Sequence, residues 1–142
     1  MLDLQNDTFE SLRSHALSEY PKECCGIILG IHSDEPKKAY KIIQTENVIG
    51  SKQAAAHFRI DPLAVLQAEL SAEQEQLEIT GFYHSHPDHT AFPSEQDIAS
   101  MIAGYSYLII SVRKGECTDM RSFERLSQTA LDIREEILIK EK

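Results

Sequence analysis

Apolar and polar positions along the 142-residue chain switch between helical and strand periods. Phe9, Leu12, Ala16, Leu17 and Tyr20 recur at helical spacing, and Pro21 ends that pattern. Just before it, Asp7-Thr8-Phe9-Glu10 has the spacing of a capping box with Asp in the capping place. The run Gly26-Ile27-Ile28-Leu29-Gly30-Ile31 is short, β-branched and bounded by glycines, which predicts a buried strand. Glu23 then falls at a helix-to-strand corner, at the mouth of the sheet. Residues 34–38 are polar around Pro36 and read as a turn. Residues 39–44 and 46–49 predict one strand broken near Thr45 and pairing with the first, 50–56 a loop, and 58–60 a brief strand.

Asp61-Pro62 predicts a helix start, with Asp as N-cap and Pro at the first helical position. Leu63, Leu66 and Leu70 mark its expected buried stripe, and residues 73–78 its solvated end. Residues 79–84 predict a strand. A third helix is expected over 94–103, with Ile98, Met101 and Ile102 facing inward and Gly104 closing it. Residues 107–112 predict a central strand, and Lys114-Gly115 turns into a hairpin partner at 120–124. Over 132–142, Ile133, Ile137 and Leu138 suit a helix whereas 136–139 suit an edge strand; the strand is preferred.

This length fits one domain, taken as residues 1–142, and with 42% hydrophobic residues it is enough to bury a core. The net charge of −9 argues against a nucleic-acid partner, because phosphate binding needs a basic footprint. No run approaches the roughly 20 apolar residues of a membrane helix. The first residues, MLDLQNDTFESL, carry acidic side chains and no apolar core, unlike a signal peptide. Of three cysteines, Cys24 and Cys25 are adjacent, which is no disulfide framework, so a reducing cytoplasmic location is expected.

The chemistry concentrates in residues 81–97, GFYHSHPDHTAFPSEQD. His84 and His86 are two apart, so on a strand both imidazoles point to one face, and Pro87 ends the ladder. Ser94-Glu95-Gln96-Asp97 opens a helix and brings a carboxylate back toward the same point. Two imidazoles and one carboxylate make a three-ligand zinc site with a fourth position for water. Each piece alone has an ordinary explanation. Ser94 with Asp97 is a capping-box spacing, and a His-x-His pair is commonly a surface or core feature. Their combination is what points to a metal.

His-Ser-His-Pro followed after six residues by Ser-x-x-Asp resembles the signature of the JAMM (MPN+) zinc metalloproteases. Glu23, within Tyr20-Pro21-Lys22-Glu23-Cys24-Cys25-Gly26, matches the upstream glutamate of that signature, and the resemblance covers nearly the whole chain. It implies a single α/β domain of the MPN/JAB (cytidine-deaminase-like) type: a mixed, curved sheet flanked by helices, with zinc at one edge. It also implies His84, His86 and Asp97 as ligands of one Zn2+, and Glu23 as the general base for the zinc-bound water. Ser94 matches the residue that helps stabilise the oxyanion. The implied activity is a metallopeptidase or isopeptidase cutting after the C-terminal Gly-Gly of a ubiquitin-like, sulfur-carrier protein. The short segments around the motif fit the compact stand-alone prokaryotic type.

Two rival classes stay open: a non-catalytic MPN scaffold, disfavoured because all five positions are filled, and a zinc hydrolase of small peptides or amides. His89, in the loop after Pro87, is a candidate for lining the cleft or standing in as a ligand, against the ordinary reading of an exposed loop histidine. His15, His32 and His57 have no partners at ligand spacing. Cys24 and Cys25 flank the expected base, but adjacent strand residues point to opposite faces. One is expected in the core and the other incidental to the cleft. No Cys-x-x-Cys pair, His-Glu-x-x-His helix or Gly-rich phosphate loop is present, against deaminase, zincin and nucleotide-binding readings.

Overall fold

A computed structural model describes residues 1–5, 7–48 and 59–140. In chain order the elements are β1 (Leu2–Leu4), α1 (Thr8–Glu19), β2 (Cys25–Ile31), β3 (Lys37–Thr45), α2 (Pro62–Gln74) and β4 (Glu78–Pro87). They continue with α3 (Glu95–Ser100), β5 (Ser106–Arg113), β6 (Glu116–Arg125), β7 (Ile133–Glu136) and β8 (Leu138–Lys140). All eight strands form one mixed sheet in the order β7-β6-β5-β4-β2-β3-β1-β8.

β4 is the pivot. It runs antiparallel to β2, with Cys25 opposite His84, and parallel to β5, with His86 opposite Ser111. β2 is buried along nearly its whole length, as its apolar run predicts for a strand covered on both faces. β1 lies between β3 and β8, and the Leu2 N–H donates to the Ile137 carbonyl (2.9 Å). At Ile137 the chain switches from pairing with β6 to pairing with β1, so the curved sheet nearly closes on itself.

α1 covers one face, packing Leu12 and Ala16 with Ile28, Tyr83, Leu108 and Ile110. Gly26 belongs to this layer for a specific reason. A Cβ there would collide with the Tyr83 ring, so only glycine lets that ring approach β2 so closely. α2 covers the other face over Ile27, Leu29 and Ile79. Beyond it, Ala91 and Met101 of the α3 segment pack on Ile109 and Phe123.

Several expectations change. Asp7 holds the N-cap position of α1 but makes no side-chain capping hydrogen bond. The leucine stripe of α2 faces outward: Leu63, Leu66 and Leu70 are 50–58% exposed, while Ala68 and Ala72 are buried. Small side chains let the helix backbone sit close on β2 and β4, and this overrides the larger apolar area of the leucines. Asp61 does cap α2, accepting from the Leu63 N–H (2.9 Å). α3 stops at Ser100; Met101 is its buried C-cap, and Ile102 is exposed rather than inward. β3 ends at Thr45 instead of resuming. Among residues 58–60, Arg59 and Ile60 form no strand. The loop expected at 50–56 lies outside the described residues, as does His57. β1 was not expected at all. In the tail the strand reading holds, as β7 and β8.

Candidate metal centre

The end of β4 delivers both histidines to one side of the sheet. His84 is buried and His86 half-buried, and their Nε2 atoms lie 3.0 Å apart. Asp97 Oδ2 reaches both, at 3.2 Å from His84 Nε2 and 3.1 Å from His86 Nε2. α3 brings it there through a complete capping box. Ser94 Oγ accepts from the Asp97 N–H, and Asp97 Oδ2 accepts from the Ser94 N–H, both at 3.0 Å. The cap and the convergence are thus one arrangement.

Proton accounting shows what this cluster is suited for. His86 Nδ1 donates to the Thr90 carbonyl (2.8 Å), so in the neutral ring Nε2 carries a lone pair. That lone pair faces another imidazole nitrogen and a carboxylate oxygen. Ligand atoms around a tetrahedral zinc, at about 2.0–2.1 Å each, would be spaced about 3.3 Å apart. The observed 3.0–3.2 Å separations fit such a donor set, and the Thr90 carbonyl supplies the outer hydrogen bond that orients a ligating imidazole.

Glu23 completes the site from the α1–β2 corner. A ligand atom from each of Glu23, His84 and His86 falls in one group whose members lie within 4.8 Å of one another. This is a possible metal-binding group. Two carboxylates therefore face the imidazoles at different ranges, Asp97 in contact and Glu23 further off.

Their acidities separate accordingly. Burial pushes the Glu23 carboxyl up to about 7; nearby His86 opposes this and Asp97 adds to it. Burial also raises Asp97, but its contacts with the His84 and His86 imidazoles and the bond from the Ser94 N–H outweigh it and hold the carboxyl well below the usual range. Burial lowers His84 despite its contact with Asp97, whereas in His86 burial is outweighed by the contact with Asp97 and the bond to Thr90, which raise it. Two carboxylates with separated acidities are the arrangement acid–base chemistry uses.

The structure brings together His84, His86, Asp97 and Ser94, with Glu23 beside the two histidines. The group sits at the end of a central strand, not along a sheet edge. His89 is exposed and stands outside the group; its backbone carbonyl accepts from Ser111 Oγ. Both Cys24 and Cys25 are buried, and burial raises their thiols to about 12 and about 11, which removes either as a nucleophile. Sequence reading missed three supports. Thr90 orients His86, Ser85 Oγ accepts from the Cys24 N–H (2.8 Å), and Asn47 Nδ2 donates to the Glu23 carbonyl (3.3 Å). Ser85 was legible inside His-Ser-His; Asn47 has no local signal.

Fold and sequence agree with the comparisons. The model of the family described as prokaryotic homologs of the JAB domain matches residues 5–126, and the chain belongs to that family. A probable TtuB-protein conjugate cleaving protease of Thermus thermophilus is 39% identical over 89 residues, covering 63% of this chain and 55% of that protein. The chain thus spans about half the length of that relative. A desampylase of Haloferax volcanii is 31% identical over 118 residues, 78% of this chain and 80% of the relative. The solution structure of a protein from Desulfitobacterium hafniense superposes with a TM-score of 0.83 at 27% identity, covering 100% of this chain and 94% of the other.

Proposed function

We propose that the protein is a zinc-dependent peptidase or isopeptidase that hydrolyses the bond after the C-terminal Gly-Gly of a ubiquitin-like protein. The convergence of His84 Nε2, His86 Nε2 and Asp97 Oδ2 beside a buried Glu23 carries this reading. His84, His86 and Asp97 would hold the ion. When bound, zinc supplies Lewis acidity toward a carbonyl and a water acidic enough to ionise near neutral pH. The names of the relatives support conjugate cleavage as the reaction.

Glu23 acts as general base and then acid. Its carboxyl is further from the histidines than Asp97 is, which leaves room for a water between base and ligands. A pKa near 7 lets it take a proton from that water and return it to the leaving amine. Ser94 keeps a donor: its oxygen accepts from the Asp97 N–H, and its own O–H proton is left to point at the developing oxyanion. The Gly-Gly tail, lacking side chains, suits an extended approach along a sheet.

The test pairs metal content with turnover on a ubiquitin-like protein fused through Gly-Gly to a reporter. Glu23→Gln is expected to keep one zinc per chain and lose about 10²–10⁴-fold in turnover. Wild-type turnover in that variant would remove Glu23 from the mechanism. Cleavage confined to dipeptides would sink the ubiquitin-like substrate, and absence of zinc after reconstitution would make the protein a scaffold.

A further inference from the structure

The segment carrying Glu23 has no regular structure of its own between α1 and β2, yet it must hold a carboxylate to a fraction of an ångström. Its C-terminal half is tied to β4: the Cys24 N–H donates to Ser85 Oγ, and the Ser85 N–H donates to the Cys24 carbonyl (3.1 Å). Its N-terminal half is different. Pro21 offers no N–H, and the Lys22 N–H turns back to the Glu19 carbonyl (2.8 Å) within α1. What reaches outward is the Tyr20 hydroxyl, which donates to Asp88, at 2.9 Å from Oδ1 and 2.8 Å from Oδ2.

Asp88 is well placed to receive it. It follows the ligand strand directly, two residues after His86. Its backbone is in the left-handed region (φ 57°), which a short polar side chain tolerates better than most. Its N–H donates to the Val112 carbonyl (2.7 Å), and Oδ1 also accepts the Lys114 N–H (3.0 Å). The β5–β6 hairpin therefore fixes the Asp88 backbone through Val112 and its carboxylate through Lys114. Three parts of the chain meet on one exposed side chain: the end of α1, the end of β4 and the hairpin turn. An aspartate that only solvated a loop would have no need of three directed bonds.

We propose that Asp88 is a positioning residue, which through the Tyr20 hydroxyl holds the Tyr20–Glu23 segment in register with the histidine-bearing end of β4. The consequence for catalysis rests on the reading of Glu23 as the base; the mechanical tie does not. Removing the tie frees the segment at one end while Ser85 still holds the other, so Glu23 wanders without leaving the site.

Hydrogen exchange and kinetics test this on the full chain. In Asp88→Ala and Tyr20→Phe, exchange of the Lys22 amide is expected to speed about tenfold, with the Ser85-held Cys24 amide and the β5 amides of Leu108–Ile110 unchanged. Asp88→Asn, which keeps an acceptor oxygen, restores protection. Turnover of the Gly-Gly fusion falls ten- to a hundred-fold, on the order of an ångström-scale misplacement, while KM and zinc content stay at wild-type values. The double variant is no worse than either single one. Wild-type exchange at Lys22 in Tyr20→Phe would overturn the proposal, and so would loss of zinc in proportion to turnover. Exchange needs no substrate, so a failed tie is distinguishable from a failed assignment of Glu23.

Discussion

The two faces of β4 each present a histidine site, and they are opposites. On the α1 face, Tyr83 is fully buried and its hydroxyl meets His15 Nδ1 at 2.7 Å, ring edge to ring face. One group donates and the other accepts, so the pair is complete in itself. On the other face, one residue along, His84 Nε2 meets His86 Nε2 and Asp97 Oδ2 at nearly the same distances. There His86 has given one ring proton to the Thr90 carbonyl, and a single carboxylate oxygen is shared between two imidazoles. Proximity and burial do not separate a core histidine from a candidate metal ligand. The carboxylate shared by two imidazoles does.

Breaking the cluster of two imidazoles and one carboxylate should have the largest effect. His84→Ala is expected to abolish zinc retention, with turnover losses beyond the roughly 100-fold that outer-shell partners cost. Metal analysis beside the fusion assay checks this, and a chelator should reproduce it on wild type. Chain stability should fall in both, because a metal held by His84, His86 and Asp97 would tie α3 to β4.

Tyr83→Phe strikes the complementary pair instead. It leaves a buried imidazole nitrogen without its partner and should cost about 1–3 kcal/mol in a denaturant titration. Zinc content should not change. A variant that lost zinc along with stability would show that the two faces are coupled through β4.

The smallest effect is in pH. Burial lowers the His15 pKa below its usual 6.5, partly opposed by Glu19. The unfolded chain therefore binds a proton first as pH falls, and folding stability drops as pH passes below about 6.5. Above that value the contribution is fully present. Comparing the stability slopes of wild type and His15→Gln between about pH 8 and pH 5 isolates it; equal slopes would contradict the assignment.

Sequence reading went furthest where local chemistry and packing asked for the same residues. His84, His86, Ser94 and Asp97 could be placed because strand alternation and a helix cap are short-range rules, and the cap turned out to be part of the cluster. Glu23 needed the family pattern, since nothing nearby in sequence announces a carboxylate that only folding brings to the histidines. α2 misled because two faces compete at helical spacing. Leu63, Leu66 and Leu70 offer more apolar area, but Ala68 and Ala72 permit the closer approach. β1 escaped notice because three residues are too few to show a period; its strand character comes from β3 and β8.

That strand also sets the order in which the chain can complete itself. Leu2 lies opposite both Lys37 and Leu138, so β1 meets one neighbour early in the sequence and the other only at the far end. Closing so long a loop costs chain entropy, and the ladder repays it only after Ile137 has carried the backbone across the seam. The histidine strand waits for none of this, since β2 and β5 already flank it. With its last strand unpaired the chain thus has the centre of the sheet available before the seam, and the topology predicts the seam as the late-closing step of folding.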